Sequence, residues 1–185
     1  GVTLTVLTLV SVADPAAPAV LATLRAHGRY VAARRVDGLV RLVLSSPAAG
    51  RLPWVFPGWV RPRSGGAAGS AATVEAAAAP LTADAARAEN KARIAASTLD
   101  DWVPQYRLTT AAGASSSGYL VNCNSVFRPA VFAGFSTLSI LTFDLRRGGD
   151  GYGAAASPLR PVGGVAVQAD GDKVYATEDG LYVAT

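Results

Sequence analysis

The feature that most constrains this chain is a short β-type pattern that occurs twice. Thr3–Leu9 reads Thr-Leu-Thr-Val-Leu-Thr-Leu, and Thr137–Phe143 reads Thr-Leu-Ser-Ile-Leu-Thr-Phe. Both runs are rich in Thr, Val, Ile and Leu and lack a helix-favouring composition, which favours strands. Each copy is followed by further short apolar runs separated by turns. The pattern therefore predicts one antiparallel β-unit that is used twice.

Turn residues divide each copy into four strands. Asp14–Pro18 ends the first strand because it contains two prolines, and Asp37-Gly38 is a strong hairpin signal. We predict that residues 1–45 form a first blade-like antiparallel meander, with strands over 3–12, 20–24, 30–36 and 39–44. Residues 137–185 are predicted to form a second such unit, with strands over 137–145, 162–168, 173–177 and 181–185.

Residues 46–136 are predicted to be an insertion between the two units. Trp54, Phe56 and Trp59 lie close together among prolines, before a Gly/Ser/Ala-rich stretch. Two interpretations stay open for these aromatic side chains. They either pack on the body of the protein or form an exposed surface that contacts a partner.

One helix is predicted in the insertion, over about residues 83–102, with Pro104 at its end. Its apolar positions recur at helical spacing, and they are Ala85, Ala88, Ala92, Ala95, Leu99 and Trp102. Asp100 and Asp101 would lie in the last turn, where the helix macrodipole disfavours carboxylates. Either Arg107 offsets that cost, or the helix ends earlier.

Composition and charge exclude several classes of protein. Half of the 185 residues are hydrophobic and 16 % are charged, which excludes a disordered chain. The net charge of +4 is spread along the sequence without interleaved aromatic residues, so we predict no nucleic-acid binding. No run reaches the ~18 apolar residues of a membrane span. Cys123 is the only cysteine, so the sequence has no internal disulfide and no thiolate metal site.

Candidate catalytic and metal-binding residues are few. Cys123 and His27, with Asn122 or Asn124, are the minimal set of a cysteine hydrolase, but no local motif supports it. Hard oxygen ligands for calcium could come from an acidic set near the C-terminal end, namely Asp170, Asp172, Glu178 and Asp179. Asp-Gly turns between strands need no metal. We therefore predict no catalytic residue, no metal and no cofactor in this segment.

Arg34 and Arg35 are adjacent on a predicted strand, and successive side chains along a strand point to opposite faces of the sheet. One of Arg34 and Arg35 must face inward or reach a blade edge, and a buried guanidinium needs a partner. Asp37 and Asp144 are the candidate partners, and we predict an inter-blade tie between Arg34 and Asp144. Asp144 is also a candidate salt-bridge partner of Arg146. The functional interpretation is that this arginine lines a central channel.

Five segments resemble bacterial secreted β-propeller domain proteins, which are distantly related to WD40 repeats. These segments are Gly28–Arg41, Leu99–Tyr106, Asn122–Pro129, Leu141–Leu145 and Val174–Thr185. The resemblance implies a mainly β fold of antiparallel four-stranded blades, with the helix inside an insertion. It also implies a longer parent chain with further blades and an upstream secretion signal or lipid anchor. By the same resemblance, Cys123 is expected to form a disulfide with an upstream cysteine.

The sequence thus favours an extracytoplasmic, non-catalytic segment that acts as a binding or scaffolding surface. Trp54, Phe56 and Trp59 are the expected contact with an unknown protein or cell-wall partner. The alternative is a wall of a channel-sited enzyme, a hydrolase or lyase, in the full-length propeller. Two units alone leave strand edges unpaired, so they would pack face to face as a small sandwich or self-associate through those edges.

Overall fold

The computed structural model describes residues 3–47, 52–60, 79–147, 157, 159–171, 173–177 and 180–184. These residues form two compact units. The first unit combines Gly1–Arg51 with Thr98–Thr185, and the second is Leu52–Ser97. Each unit is described by itself below.

In its described residues, the first unit contains two sheets and a separate hairpin. Its strands are β1 (Leu4–Ser11), β2 (Ala19–His27), β3 (Arg29–Val36), β4 (Leu39–Pro47), β5 (Gln105–Thr110), β6 (Ser115–Tyr119), β7 (Val126–Phe127), β8 (Ser136–Asp144), β9 (Gly163–Gln168), β10 (Lys173–Ala176) and β11 (Leu181–Ala184). Sheet A has the order β1-β2-β5-β6, and sheet B has the order β3-β4-β8-β9-β7. All pairs in both sheets are antiparallel except β7 with β9. Strands β10 and β11 pair with each other.

The chain alternates between the two sheets, so the predicted four-stranded meander over residues 1–45 is wrong. Strand β2 pairs with β1 and β5, whereas β3 pairs with β4. The change of sheet takes place at Gly28, whose φ of +124° is accessible to glycine and rarely to other residues. Two hydrogen bonds fix this corner. Gly28 N–H donates to the Thr3 carbonyl at 2.9 Å, and the Thr5 hydroxyl donates to the Gly28 carbonyl at 2.8 Å.

The two copies of the sequence pattern form strands, but these strands occupy different positions. Strand β1 lies at the edge of sheet A and alternates between exposed and half-buried residues. Strand β8 lies in the middle of sheet B and is buried along most of its length. Residues 105–119, which were expected in the insertion, supply β5 and β6 and complete sheet A. Local composition specifies a strand, but long-range pairing decides whether it is central.

Sheets A and B pack face to face around one hydrophobic cluster. Leu24 and Leu108 contribute from sheet A, and Leu42, Leu141 and Phe143 contribute from sheet B. The expected sandwich was one of two blade-like units, whereas the observed sandwich is formed by sheets A and B, each of which combines strands from distant parts of the chain. It follows from strict alternation along β2, where Ala22, Leu24 and Ala26 are buried and the residues between them are not.

The hairpin β10–β11 does not extend sheet B in the described part of the chain, so the second predicted meander is also wrong. Its Leu181 and Val183 instead line a cavity of about 660 Å³ together with Ile140 and Thr142 of β8. The opposite side of the hairpin exposes Tyr175 and Tyr182, which are directly paired across the two strands. The hairpin thus covers part of sheet B without joining its hydrogen-bond ladder.

Helix α1 (Ala83–Ala96), in the second unit, is shorter than predicted. Thr82 caps its start, because the Thr82 side chain accepts a hydrogen bond from Ala85 N–H. Ser97 and Thr98 are extended, and Thr98 begins a separate short helix, α2 (Leu99–Trp102). The expectation of one helix to residue 102 is therefore wrong, and its alternative, an earlier end, is observed.

Helix α2, which belongs to the first unit, resolves the apparent conflict of its carboxylates with the macrodipole. Asp100 and Asp101 lie in its first turn, where the helix dipole stabilises negative charge. Asp101 Oδ2 also accepts a hydrogen bond of 2.8 Å from Thr98 N–H, which completes a capping box. In the part of the chain that the structure describes, no helix is long and apolar enough to cross a membrane.

The packed face of α1 differs from the predicted alanine seam. Ala86 is buried and Asn90 is half-buried, whereas Ala85, Ala88 and Ala92 are exposed. An alanine methyl buries too little surface to decide which face a helix presents. Two hydrogen bonds between Asn90 and the backbone of Val55 fix that face instead.

Candidate binding surfaces

Residues Leu52–Val60 of the second unit form a tight bend, here called the aromatic turn. It contains the sequence Pro-Trp-Val-Phe-Pro-Gly-Trp. Gly58 has a φ of +82°, which allows the chain to reverse. Gly58 N–H donates to the Leu81 carbonyl at 2.9 Å, and Leu81 N–H donates to the Trp59 carbonyl at 3.1 Å. These two bonds attach the aromatic turn to the residue that precedes the cap of α1.

Asn90 of α1 holds the other end of the aromatic turn. Its Oδ1 accepts from Val55 N–H at 3.0 Å, and its Nδ2 donates to the Val55 carbonyl at 2.8 Å. The Val55 side chain is buried. One amide side chain thus satisfies both backbone polar groups of a buried residue, which fixes the turn on the helix.

This fixed turn leaves two of the three predicted contact residues exposed. Phe56 is 67 % exposed, Trp59 is 44 % exposed, and Trp54 is half-buried. Packing within the described residues therefore covers part of Trp54 and part of Trp59, and it leaves most of Phe56 exposed. Contact with a partner stays a prediction.

A second aromatic surface lies in the first unit and was missed from the sequence. In the loop between β7 and β8, Val131 is 78 %, Phe132 is 71 % and Phe135 is 61 % exposed. The rings of Phe132 and Phe135 meet edge to face with centroids 4.9 Å apart. With Trp102, Arg128 and Gln168 this loop lines a cavity of about 400 Å³, here called the aromatic pocket. The available sequence signal was Val131–Phe135, an apolar run with no strand alternation beside Pro129.

Asp170 fixes the end of this loop. Its Oδ1 accepts from Ser136 N–H at 3.1 Å, and its own N–H donates to the Ala133 carbonyl at 2.7 Å. Gly134 has a φ of +124°, and a Cβ there would lie 2.3 Å from Cγ of Asp170. Asp170 therefore orders the backbone of this loop.

The other members of the acidic set that was considered for calcium lie outside the described residues, namely Asp172, Glu178 and Asp179. Within the described ranges, no three His, Cys, Asp or Glu residues are grouped so that they could hold a metal ion.

Comparison with known proteins agrees with the two packed antiparallel sheets. A family model described as a β-propeller domain matches residues 2–185. The chain belongs to the β-propeller domain family. No curated protein and no solved structure matches the chain. Both the resemblance to β-propeller domain proteins and the mainly β fold predicted from the sequence are thus confirmed.

The inter-blade tie expected in a β-propeller domain chain is not formed between the predicted residues. Arg34 is exposed and its Nη1 donates to the Ala33 carbonyl at 2.8 Å. Asp144 instead accepts from Arg146 Nε at 3.0 Å and from Arg146 N–H at 3.0 Å. Strand β4 separates β3 from β8, and neighbouring strands are about 4.8 Å apart, so Arg34 and Asp144 are on strands about 10 Å apart. The hydrogen bond to Asp144 raises the pKa of the Arg146 guanidinium.

The residues of the hypothetical cysteine hydrolase lie on different elements of this β-propeller domain chain. His27 ends β2, whereas Cys123 begins a short 3₁₀ turn before β7 and is exposed. The Asn122 side chain caps that turn by accepting from Asn124 N–H at 3.1 Å. The predicted disulfide of Cys123 with an upstream cysteine stays a prediction.

A small polar cluster near Cys123 involves Asp100. Its Oδ1 accepts a 2.7 Å hydrogen bond from the Tyr119 hydroxyl and a 3.0 Å bond from Gln105 Nε2. The hydrogen bond to Asp100 raises the pKa of Tyr119 above its usual value of 10.0, helped by burial and by the carboxylate charge. The neutral phenol is favoured, so this bond stabilises the fold below the usual tyrosine pKa. That stabilisation is lost as the pH rises through the raised pKa.

We predict that Asp100→Ala lowers the pKa of Tyr119 towards that of an unperturbed tyrosine. Removing the carboxylate eliminates both the hydrogen bond and the negative charge that disfavour the phenolate. NMR of ring-labelled tyrosine through alkaline titration measures this pKa, with Tyr119→Phe assigning the signal. Ser117→Ala on the same strand is the control and should leave the titration unchanged. An unaltered Tyr119 titration in Asp100→Ala would show that the bond does not form in solution.

Proposed function

We propose that this chain is a non-catalytic binding segment of a larger β-propeller, and that it contacts a partner protein through the aromatic turn. The observation that supports this proposal is the combination of exposure and order at one place. Phe56 and Trp59 are exposed, while the backbone is held between them by the bond of Gly58 to Leu81 and beside Phe56 by the bonds of Asn90 to Val55.

Such an arrangement suits recognition for an energetic reason. Aromatic side chains contribute much of the binding energy at protein interfaces, and tryptophan is prominent among them. A turn that is already ordered loses little conformational freedom on binding, so more of the contact energy appears as affinity. A partner with an apolar groove is the chemistry that fits two adjacent exposed rings.

The proposal includes further blades of the same ring as partners of sheets A and B. Propellers typically contain four to eight blades, and the described residues supply two sheets of at least four strands. An extracytoplasmic location, by secretion or lipid anchoring, and a WD40-like relationship also belong to the proposal. They are supported by the resemblance of five sequence segments to bacterial secreted proteins.

Site-specific photo-crosslinking in the source cells tests the partner contact. A photoreactive amino acid replaces Trp59 in one variant of the full chain and Arg87 in a matched control. Arg87 is also exposed and belongs to the same unit, on the helix rather than on the aromatic turn. We expect position 59 to capture one defined protein, identified by mass spectrometry, and position 87 to capture none.

Asn90→Ala combined with the probe at position 59 sharpens this test. The substitution leaves Phe56 and the probe in place but removes the two bonds of Asn90 to Val55, so capture should fall while the protein remains folded. Cross-links confined to the chain itself would mean that the aromatic turn packs on other parts of the parent protein. Equal capture at positions 59 and 87 would also refute the proposal.

A further inference from the structure

The aromatic pocket combines an apolar concave surface with one positive charge. Its rings come from Trp102 at the end of α2 and from Phe132 and Phe135 of the loop. Asp170 holds the loop backbone at Ala133 and Ser136, so this side of the pocket is ordered without a ligand. Its volume of about 400 Å³ lies in the range of small-molecule sites.

Arg128 distinguishes this pocket from an ordinary apolar depression. Its side chain lines the pocket and is exposed. Across the described ranges, Arg128 makes no side-chain hydrogen bond and no ion pair with the protein. A guanidinium carries five N–H donors in a planar fork that matches a carboxylate. The unused donors therefore favour an anionic group beside the rings.

We propose that the aromatic pocket binds an aromatic carboxylate. The ligand ring packs against Phe132, Phe135 and Trp102, where edge-to-face and offset-stacked contacts are available. The ligand carboxylate binds the guanidinium of Arg128. A cationic ligand is disfavoured because Arg128 would repel it, and a neutral aromatic ligand would leave the guanidinium without its counter-charge.

The same ligand chemistry has two sources. One is a free aromatic acid, represented by phenylacetate. The other is the C-terminal phenylalanine of a peptide, represented by the tripeptide Gly-Gly-Phe with an acetylated N-terminus and a free carboxylate. The pocket is in the first unit and the aromatic turn is in the second, so this proposal goes beyond the partner contact and is tested separately.

NMR of the tryptophan indole N–H signals provides the test, because the chain has only three tryptophans. Titration with phenylacetate is expected to shift the Trp102 signal with a millimolar dissociation constant, the range for so small a ligand. The signals of Trp54 and Trp59 are the internal control and should not move. Phenylacetamide, which lacks the charge, should bind at least about tenfold more weakly. Tighter binding by the tripeptide than by phenylacetate would identify a peptide terminus as the source, and equal binding would identify a free acid.

Two variants separate the roles of the charge and the rings. Arg128→Gln should weaken phenylacetate binding about tenfold while leaving phenylacetamide binding unchanged. Phe132→Ala should weaken the binding of both phenylacetate and phenylacetamide, because both ligands lose the contact with the Phe132 ring. The charge-matched control Arg160→Gln should leave both titrations unchanged. Equal binding of acid and amide, no effect of Arg128→Gln, or no shift of Trp102 would overturn the proposal. A Trp102 signal that responds to protein concentration but not to the ligands would assign the pocket to a second copy of the chain, which also overturns it.

Discussion

Replacing Phe143 with alanine is expected to lower the free energy of unfolding by about 3–5 kcal/mol. Phe143 is among the largest fully buried side chains and belongs to the cluster shared by sheets A and B. Its removal loses the transfer free energy of the ring and leaves a cavity between two sheets that cannot fully collapse. Because a domain is typically stable by only 5–15 kcal/mol, a large part of the total would be lost.

Urea unfolding measures this effect as a lower midpoint at an unchanged m-value. Ser139→Ala is a matched control on the same strand and the same face. Ser139 is fully buried, and its hydroxyl has no hydrogen-bond partner in the described part of the chain. Alanine there removes an unsatisfied polar group and should leave stability unchanged or raise it slightly. Similar midpoints for Phe143→Ala and the wild type would mean that the two sheets do not share this core.

Gly28→Ala is expected to destabilise the protein by about 2–4 kcal/mol, from backbone strain and steric overlap together. The φ of +124° is one that alanine rarely adopts, and a Cβ there would lie 2.5 Å from Oγ of Ser46 and 3.2 Å from the Ser45 carbonyl. Relief of the overlap requires the Ser46 side chain to rotate away, which breaks its 2.9 Å hydrogen bond to the His27 carbonyl, and the Ser45 backbone of β4 to shift slightly.

Gly113→Ala separates the two contributions to that loss. Gly113 has a φ of +81°, but a Cβ added there would meet nothing within 4 Å. Its substitution should therefore cost only the backbone strain, about 1 kcal/mol. Ser46→Ala combined with Gly28→Ala should recover part of the steric cost, which a double-mutant cycle measures. Equal losses for Gly28→Ala and Gly113→Ala would contradict the close approach of Gly28 to β4.

Sequence reasoning located strands better than it located their partners. The apolar runs and the Asp37-Gly38 turn led to strands close to β1, β2, β3 and β4, because these signals are local. The sequence contained no equivalent signal for the pairing of β2 with β5, because that contact joins distant segments. Asp100 and Asp101 did carry information, since their poor fit to a single long helix indicated the early end of α1.

The candidate surfaces were only partly predictable for a related reason. Trp54, Phe56 and Trp59 stood out because aromatic residues among prolines are unusual, but their exposure depends on Asn90, whose role requires the fold. Phe132 and Phe135 were overlooked because no sequence rule distinguishes an exposed phenylalanine from a buried one. The pairing of Asp144 with Arg146 joins residues two apart and was accessible from the sequence. Whether Arg34 could also reach Asp144 depended on which strands became neighbours.

The alternation of the chain between sheets has a consequence for how the protein is made. Ala22 pairs with Thr110, and Leu42 pairs with Leu141. During synthesis, neither sheet can be completed until strands from much later in the chain have been made. The two sheets must therefore fold together. Until they do, the apolar core residues of the first two hairpins are exposed to solvent and can cause aggregation. A nick between β4 and β5 would yield two fragments, each with one strand pair from sheet A and one from sheet B. We expect each fragment to fold only when the other is present.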